Sequence, residues 1–167
     1  MTMNTLMLIL EDALFAAVAG IGFGSISNLP YKAFPFCALI AGIGHSLRFV
    51  LITVLGTHII WASLAAGLAI GMLSVITGVM IKQPVESLSF PSLLPMIPGM
   101  YAYRTFQNLL GCVSTSCRDE FLDYFYRMSD NFLTGCLIII MLAVGAVVPM
   151  LAFSRTSFQA TRHILRY

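Results

Sequence analysis

Long runs of apolar residues, separated by short polar breaks, follow one another along almost the whole chain. A helix needs roughly 20 mostly apolar residues to cross a bilayer. A strand-built span would instead show short segments that alternate apolar with polar residues, and an open sheet would leave edge amides unsatisfied in lipid. The pattern therefore predicts an all-α polytopic membrane protein, a single transmembrane domain over residues 1–167. Its helices are expected at about 6–26, 33–55, 59–81, 91–110 and 131–153, with one sizeable loop at 111–130.

The composition agrees with lipid as the solvent of this chain. Of its 167 residues, 59% are hydrophobic and only 10% are charged, whereas soluble domains are about a quarter charged. The net charge of +2 is too small to indicate a nucleic-acid partner. Because residues 1–5 carry no basic side chain and Glu11 and Asp12 interrupt the first run, we expect a retained helix rather than a cleaved signal peptide.

The lysines and arginines between the runs predict the orientation, because basic residues concentrate in cytoplasmic loops. With five spans, a cytoplasmic C-terminus places five basic residues inside and leaves only Arg118 and Arg127 outside. We therefore expect an inner-membrane protein with its N-terminus outside. The five inside residues are Lys32, Lys82, Arg155, Arg162 and Arg166.

Small residues on the first and third helices predict close helix packing, since they let backbones approach in lipid. In the first helix an acidic residue begins a stripe of small residues that recurs every fourth position. Glu11 lies about 100° around the helix from that stripe. The residues are Asp12, Ala16, Gly20 and Gly24 in the first helix, and Gly67, Gly71 and Gly78 in the third.

Asp12, His45 and Arg48 are ionisable residues inside predicted spans. A charge at mid-membrane costs about 2.5–3.5 kcal/mol on insertion scales, so such residues normally face a bundle or a wet cavity. His45 and Arg48 share a helix face, and Asp12 and Arg48 lie at similar depths, about 12 and 10 Å below the outer helix ends. Two interpretations remain open: a static ion pair that fixes helix register, or a cationic wall for an anion with Asp12 as counter-ion or proton relay.

Prolines crowd the first half of the fourth apolar run, where Pro91, Pro95 and Pro98 are followed by Gly99. An interior proline removes a backbone hydrogen bond and clashes with the preceding turn. The segment therefore predicts a broken helix that restarts at Pro98 or Gly99 with its positive end toward a substrate cavity; a simple kink is the alternative. Arg104 either lines that cavity or extends to the outer interface.

The remaining polar residues give weaker predictions. Asn131 is expected at the start of the last helix, as its N-cap or as a substrate contact. Cys112 and Cys117 either form a disulfide or stay free, and no spacing typical of a metal site, nucleophile–base pair or phosphate loop occurs. The sequence thus predicts neither an enzyme nor a cofactor. Five helices with few polar groups would make a thin pathway, so a partner or self-association is expected.

Taken in order, several segments of this chain resemble the threonine/serine exporter family in its small-subunit form. The resemblance covers most of the chain, from about Glu11 to Phe153. It rests on Asn28-Leu29-Pro30, Cys37-Ala38-Leu39, Gly44-His45-Ser46-Leu47-Arg48, Trp61, Pro95-Met96-Ile97-Pro98-Gly99-Met100-Tyr101-Ala102-Tyr103, Asn131-Phe132-Leu133-Thr134 and Pro149.

The resemblance implies an all-helical subunit that works with a separate, larger YjjP-like subunit to export a small metabolite. It implies threonine and serine as solutes for the family and succinate for the two-subunit type. By motif position it extends to His45, Arg48, Pro98 and Gly99, whereas Arg104 does not match the family pattern. A membrane scaffold that only completes the bundle is the second hypothesis, and an intramembrane enzyme the third.

Overall fold

The computed structural model describes residues 3–153, and this part of the chain is built of helices. It also has two short 3-10 helices: Tyr31–Ala33 precedes the second α-helix, and Leu94–Met96 follows the fourth. Arg155, Arg162 and Arg166, which carry part of the orientation argument, lie outside the described residues. The helices are α1 (Met3–Ile26), α2 (Phe34–Thr53), α3 (Ile59–Ile81), α4 (Val85–Leu93), α5 (Gly99–Ser114) and α6 (Arg118–Ala152).

Four helical segments are long and apolar enough to cross a membrane: Thr5–Ile26, Tyr31–Thr53, Ile59–Ile81 and Arg118–Ala152. The expectation of an all-α polytopic membrane protein is thereby confirmed. The fourth expected span, 91–110, is instead divided between α4 and α5. At about 1.5 Å per residue, 9 and 16 residues extend only ~14 and ~24 Å, less than the ~30 Å hydrocarbon layer.

The predicted proline break is confirmed at residues 94–98. Helix α4 ends at Leu93, and α5 restarts at Gly99 with Pro98 as its N-cap residue. Proline has no N–H group, so a continuous helix would leave the carbonyls four residues before each proline without their usual donor. Residues 94–98 therefore leave the α-helical path.

The expected loop at 111–130 and the expected helix start at 131 are both wrong. Helix α5 continues to Ser114, and α6 already begins at Arg118. Residues 118–130 are polar, which suggested a loop, but they contain neither glycine nor proline. An ion pair between Asp123 and Arg127, four residues apart, is of the kind that supports an exposed helix.

The chain divides into two compact units, Met1–Met96 with Met141–Tyr167, and Ile97–Ile140. In the first unit α2 packs between α1 and α3, and α4 contacts all three. Its interior is closed by apolar side chains with no exposed surface, namely Ala33, Cys37, Ile40, Ala66, Ile70, Val85 and Leu88. The prediction of one transmembrane domain over residues 1–167 stays a prediction.

Glycines set the closest approaches within the first unit, as their stripes predicted. A Cβ atom built on Gly20 of α1 would lie 2.8 Å from the Cβ of Ala41 on α2. One built on Gly67 of α3 would lie 2.7 Å from the backbone oxygen of Leu142 on α6. These helices pack backbone against backbone, which a larger residue would prevent.

The second unit is an antiparallel hairpin of α5 and the first part of α6. A Cβ on Gly111 would meet the Tyr124 ring at 2.6 Å, and a Cβ on Gly135 would lie 3.3 Å from the Cβ of Tyr101. These two contacts fix the register of α5 against α6. Arg104 therefore lies close to the level of Asn131.

Replacing Gly67 with alanine is expected to destabilise the protein, because the added methyl group meets backbone that cannot rotate away. Overpacking of this kind costs about 1–3 kcal/mol. Gly22→Ala on α1 is the matched control, since a Cβ there has no atom within 4 Å. Thermal unfolding in detergent should show a lower midpoint for Gly67→Ala only; equal midpoints would contradict the close approach of α3 and α6.

Candidate functional site

A short hydrogen bond joins the first two helices inside the first unit. Asp12 on α1 places its Oδ2 atom 2.6 Å from Nδ1 of His45 on α2. Both side chains are mostly buried, with 23% and 20% of their surface exposed. The small residues of α1 bring the two helices close enough for this contact. Glu11 is exposed, as its position on the helix predicted.

Arg48 extends this contact to the proline-broken segment. Its Nη2 atom lies 3.3 Å from Nε2 of His45, one turn earlier on α2, and its Nη1 donates to the backbone oxygen of Met96 at 3.0 Å. Met96 ends the 3-10 helix that follows α4. Asp12, His45, Arg48 and the Met96 carbonyl, hereafter the polar relay, thus link α1, α2 and the break.

The directions of these hydrogen bonds follow from chemistry. A guanidinium group only donates, so the Nε2 atom of His45 accepts from Arg48. A neutral imidazole that accepts at Nε2 carries its proton on Nδ1, and this N–H donates to the carboxylate of Asp12. One neutral ring therefore bridges an anion and a cation in surroundings of apolar helices.

A second, smaller network fixes α4 against α1 and α2. The thiol of Cys37 donates to the backbone oxygen of Gly20 at 3.4 Å and lies 3.4 Å from the Ser92 hydroxyl. That hydroxyl is within reach of the carbonyls of Leu88, at 2.7 Å, and Cys37, at 3.2 Å. Because Ser92 lies two residues before the break begins, this network holds α4 beside the polar relay.

The structure brings some of the expected site residues together and separates others. Asp12, His45 and Arg48 meet in the first unit, whereas Pro98, Gly99 and Asn131 belong to the second. Pro98 and Asn131 line one apolar groove there, of about 640 Å³. The proton-relay role of Asp12 and the substrate-binding roles of the other five residues stay predictions.

Asn131 is not the N-cap of the last helix, because that helix already begins at Arg118. Its amide nitrogen instead donates to the backbone oxygen of Arg127, one turn before it in α6, at 2.6 Å.

Two participants were not predicted from the sequence. The Met96 carbonyl left no residue-type signal, although the neighbouring Pro95 and Pro98 marked the place where helical hydrogen bonding stops. Ser92 is an ordinary serine in an apolar run and gave no signal. Among residues 3–153, no three or more His, Cys, Asp or Glu side chains are grouped as metal ligands. Within the same range the four cysteines are free.

Comparison with known proteins gives the same family as the motifs. The chain is 29% identical over 147 residues to an uncharacterized protein of Haemophilus influenzae. The match covers 88% of this chain and 48% of that protein, so the chain spans about half the length of this relative. No solved structure matches the chain. The family model described as "Threonine/Serine exporter, ThrE" matches residues 12–152, and the chain therefore belongs to the threonine/serine exporter family.

Proposed function

We propose that this chain is the small subunit of a secondary exporter in the inner membrane, moving a small dicarboxylate such as succinate, or threonine and serine. The observation that carries the proposal is the polar relay, a cation and an anion bridged by His45 among apolar helices. Ionisable groups inside spans normally mark a path for ions or substrates. The chain carries no nucleotide-binding motif, so an ion gradient is the proposed source of energy.

Arg48 is the proposed contact for the carboxylate group of the solute. A guanidinium presents paired N–H groups in a fixed plane, which matches the two oxygens of a carboxylate. Both terminal nitrogens of Arg48 are engaged, one with His45 and one with Met96. A carboxylate that binds this guanidinium would compete with the ring of His45, the carbonyl of Met96, or both.

His45 is the proposed link between proton and solute. Only its neutral ring can accept from Arg48; a protonated ring donates from both nitrogens. Protonation would therefore remove the hydrogen bond to Arg48 while keeping the one to Asp12. The Nη2 atom of Arg48 would then turn from His45 to a carboxylate, which would lie beside a second cation. Proton uptake and anion binding would thus favour each other.

The proposed partner is the larger subunit of the same family. Exposed Glu11 supports this, because it lies about 12 Å along α1 from its N-terminal end. At that depth a charged side chain that faces lipid is costly and needs a partner or water. The length of the Haemophilus influenzae relative also supports it, since about half of that protein has no counterpart in this chain. Self-association is a second way to cover Glu11.

Succinate is preferred over threonine and serine because the resemblance is to the two-subunit type of the family. The polar relay is compatible with either solute, since both carry a carboxylate. A scaffold without a transport role is the competing proposal, and the short Asp12–His45 contact favours it, because a pair at 2.6 Å also fixes helix register.

The proposed topology keeps five crossings, with the N-terminus outside and the C-terminus in the cytoplasm. In this arrangement the fourth crossing is made by α4 and α5 together, as in transporters with interrupted helices. Lys82 then lies inside and Ser116 outside.

Substitution of Arg48 is expected to impair transport more than assembly. Arg48→Gln should lower counterflow of labelled succinate or threonine, in vesicles that also hold the larger subunit, by roughly ten- to hundredfold, as for a lost hydrogen bond to a charged group. Arg48→Lys should also be impaired, because an ammonium cannot bind both oxygens in one plane. Lys32→Gln, which removes an exposed cation, is the control.

Parental transport rates in both Arg48 variants would contradict a carboxylate contact at this residue. Copurification with the larger subunit is measured in parallel. Loss of the complex in Arg48→Gln, rather than loss of counterflow alone, would support the scaffold instead.

The tautomer of His45 can be read from imidazole ¹⁵N shifts. The chain has three histidines, so the spectrum of His45→Gln identifies the signals of His45. At neutral pH we expect a protonated Nδ1 and an unprotonated Nε2. A parental Nε2–H tautomer would contradict the proposed link.

Reporter fusions after Lys82, Ser116 and Tyr167 test the topology. A reporter that is active only outside the cytoplasm should be active after Ser116 and inactive at the other two positions. If α4 and α5 do not cross together, Lys82 and Ser116 will report the same side, which would refute five crossings.

A further inference from the structure

The hairpin in the second unit has two unlike sides. One side holds the apolar groove already described, lined by residues such as Phe106, Leu109 and Phe132. The other holds a cavity of about 490 Å³ lined by six residues that each carry a polar group. These six residues, hereafter the polar cavity, are Arg104, Gln107 and Asn108 on α5 and Tyr124, Arg127 and Asn131 on α6.

The spacing of these residues explains why they meet. On α5 the other two members follow Arg104 by three and four positions. On α6 they follow Tyr124 by three and seven positions, so each set occupies one helix face. The antiparallel register, fixed by Gly111 against Tyr124 and Gly135 against Tyr101, then places the two faces opposite each other.

Two guanidinium groups give the polar cavity a positive character. Within the described residues, the side chain of Arg104 has neither an ion pair nor a hydrogen bond. Arg127 uses its Nε atom on the carboxylate of Asp123, at 3.0 Å, which leaves its terminal nitrogens for another acceptor. Among residues 3–153, Asp123 is the one acid paired with either arginine, so one positive charge is uncompensated there.

The neighbouring amides and hydroxyl add neutral hydrogen-bonding groups. Asn108 and Asn131 each donate one amide hydrogen to the backbone carbonyl four residues earlier, at 2.6 Å in both cases. An amide nitrogen carries two hydrogens, so each retains a second donor. Gln107 and Tyr124 add a further amide and a phenol.

The length of α6 places these groups near the membrane surface. Its 35 residues extend about 52 Å, whereas the hydrocarbon layer is ~30 Å thick. The apolar stretch 131–152 is long enough to fill that layer, so residues 118–130 extend beyond it. Tyr124, Arg127 and Asn131 then lie where lipid headgroups and dissolved anions are both within reach.

We propose that the polar cavity is a binding site for oxyanions, a phosphate or a carboxylate group, formed by Arg104 and Arg127 with the adjacent amides. Arginine pairs with either group through parallel N–H···O bonds. The group can belong to an anionic lipid or to a dissolved carboxylate. This site shares no residue with the polar relay, and the proposal does not depend on the transport function.

The test uses the full chain in detergent with Arg48→Gln as the parent, so that the polar relay does not contribute. The probes are dihexanoyl phosphatidylglycerol and succinate, with dihexanoyl phosphatidylcholine as the neutral lipid, in calorimetric titrations. Arg104→Gln should weaken binding of the anionic probe by roughly tenfold, and Arg104→Gln with Arg127→Gln should abolish it. Arg118→Gln, an exposed cation of α6 outside the cavity, should change it by less than about twofold.

Phosphatidylglycerol bound without competition from succinate identifies a lipid site, whereas succinate that binds or competes identifies a site for dissolved carboxylates. The proposal is overturned if the parent binds neither probe, or if the double variant binds as tightly as the parent while circular dichroism shows unchanged helices. Equal binding of phosphatidylcholine and phosphatidylglycerol, unaffected by either arginine, would also overturn it.

Discussion

A charged group cannot remain unsatisfied among apolar helices, and this constraint organises the first unit. Asp12 is hydrogen-bonded to His45, and His45 to Arg48. Arg48 also donates to the carbonyl of Met96, which the helix break leaves outside a regular α-helix. Each member needs its neighbour, because removing one leaves a charge or a polar group in a medium that cannot solvate it. The polar relay is therefore a structural connection and, in the proposed function, also the place where a dissolved anion competes.

The packing of the helices makes this arrangement possible. Gly20 against Ala41 allows α1 and α2 to approach until a carboxylate and an imidazole are in contact. The Cys37–Ser92 network holds α4, so that the break begins beside Arg48. Prolines alone would only interrupt a helix; the interruption gains a chemical role because a guanidinium reaches the freed carbonyl. Close packing, the break and the relay thus depend on one another.

Much of this could be predicted from the sequence, for physical reasons that also explain what could not. Apolar runs of helix length and regularly spaced glycines are visible in a sequence, so the first three spans and the α1 face around Gly20 were predicted correctly. Asp12 and Arg48 were expected to meet from their depths alone, but the bridging role of His45 depends on side-chain geometry. Residues 118–130 were predicted as a loop, because a polar helix that extends beyond the lipid has the same composition as a polar loop. The role of Arg104 could not be predicted, since two of the α6 residues that line the polar cavity with it had been assigned to that loop.

The most direct test of the account is a distance between Arg48 and the solute. In vesicles that contain this chain and the proposed larger subunit, dipolar recoupling between ¹⁵N-arginine and ¹³C-carboxylate succinate measures this distance. The Arg48→Gln variant identifies the signal of Arg48. A bidentate contact predicts a nitrogen–carbon distance within about 4 Å. The account would be contradicted if succinate counterflow were strong but the dephasing were the same in the parental protein and in Arg48→Gln.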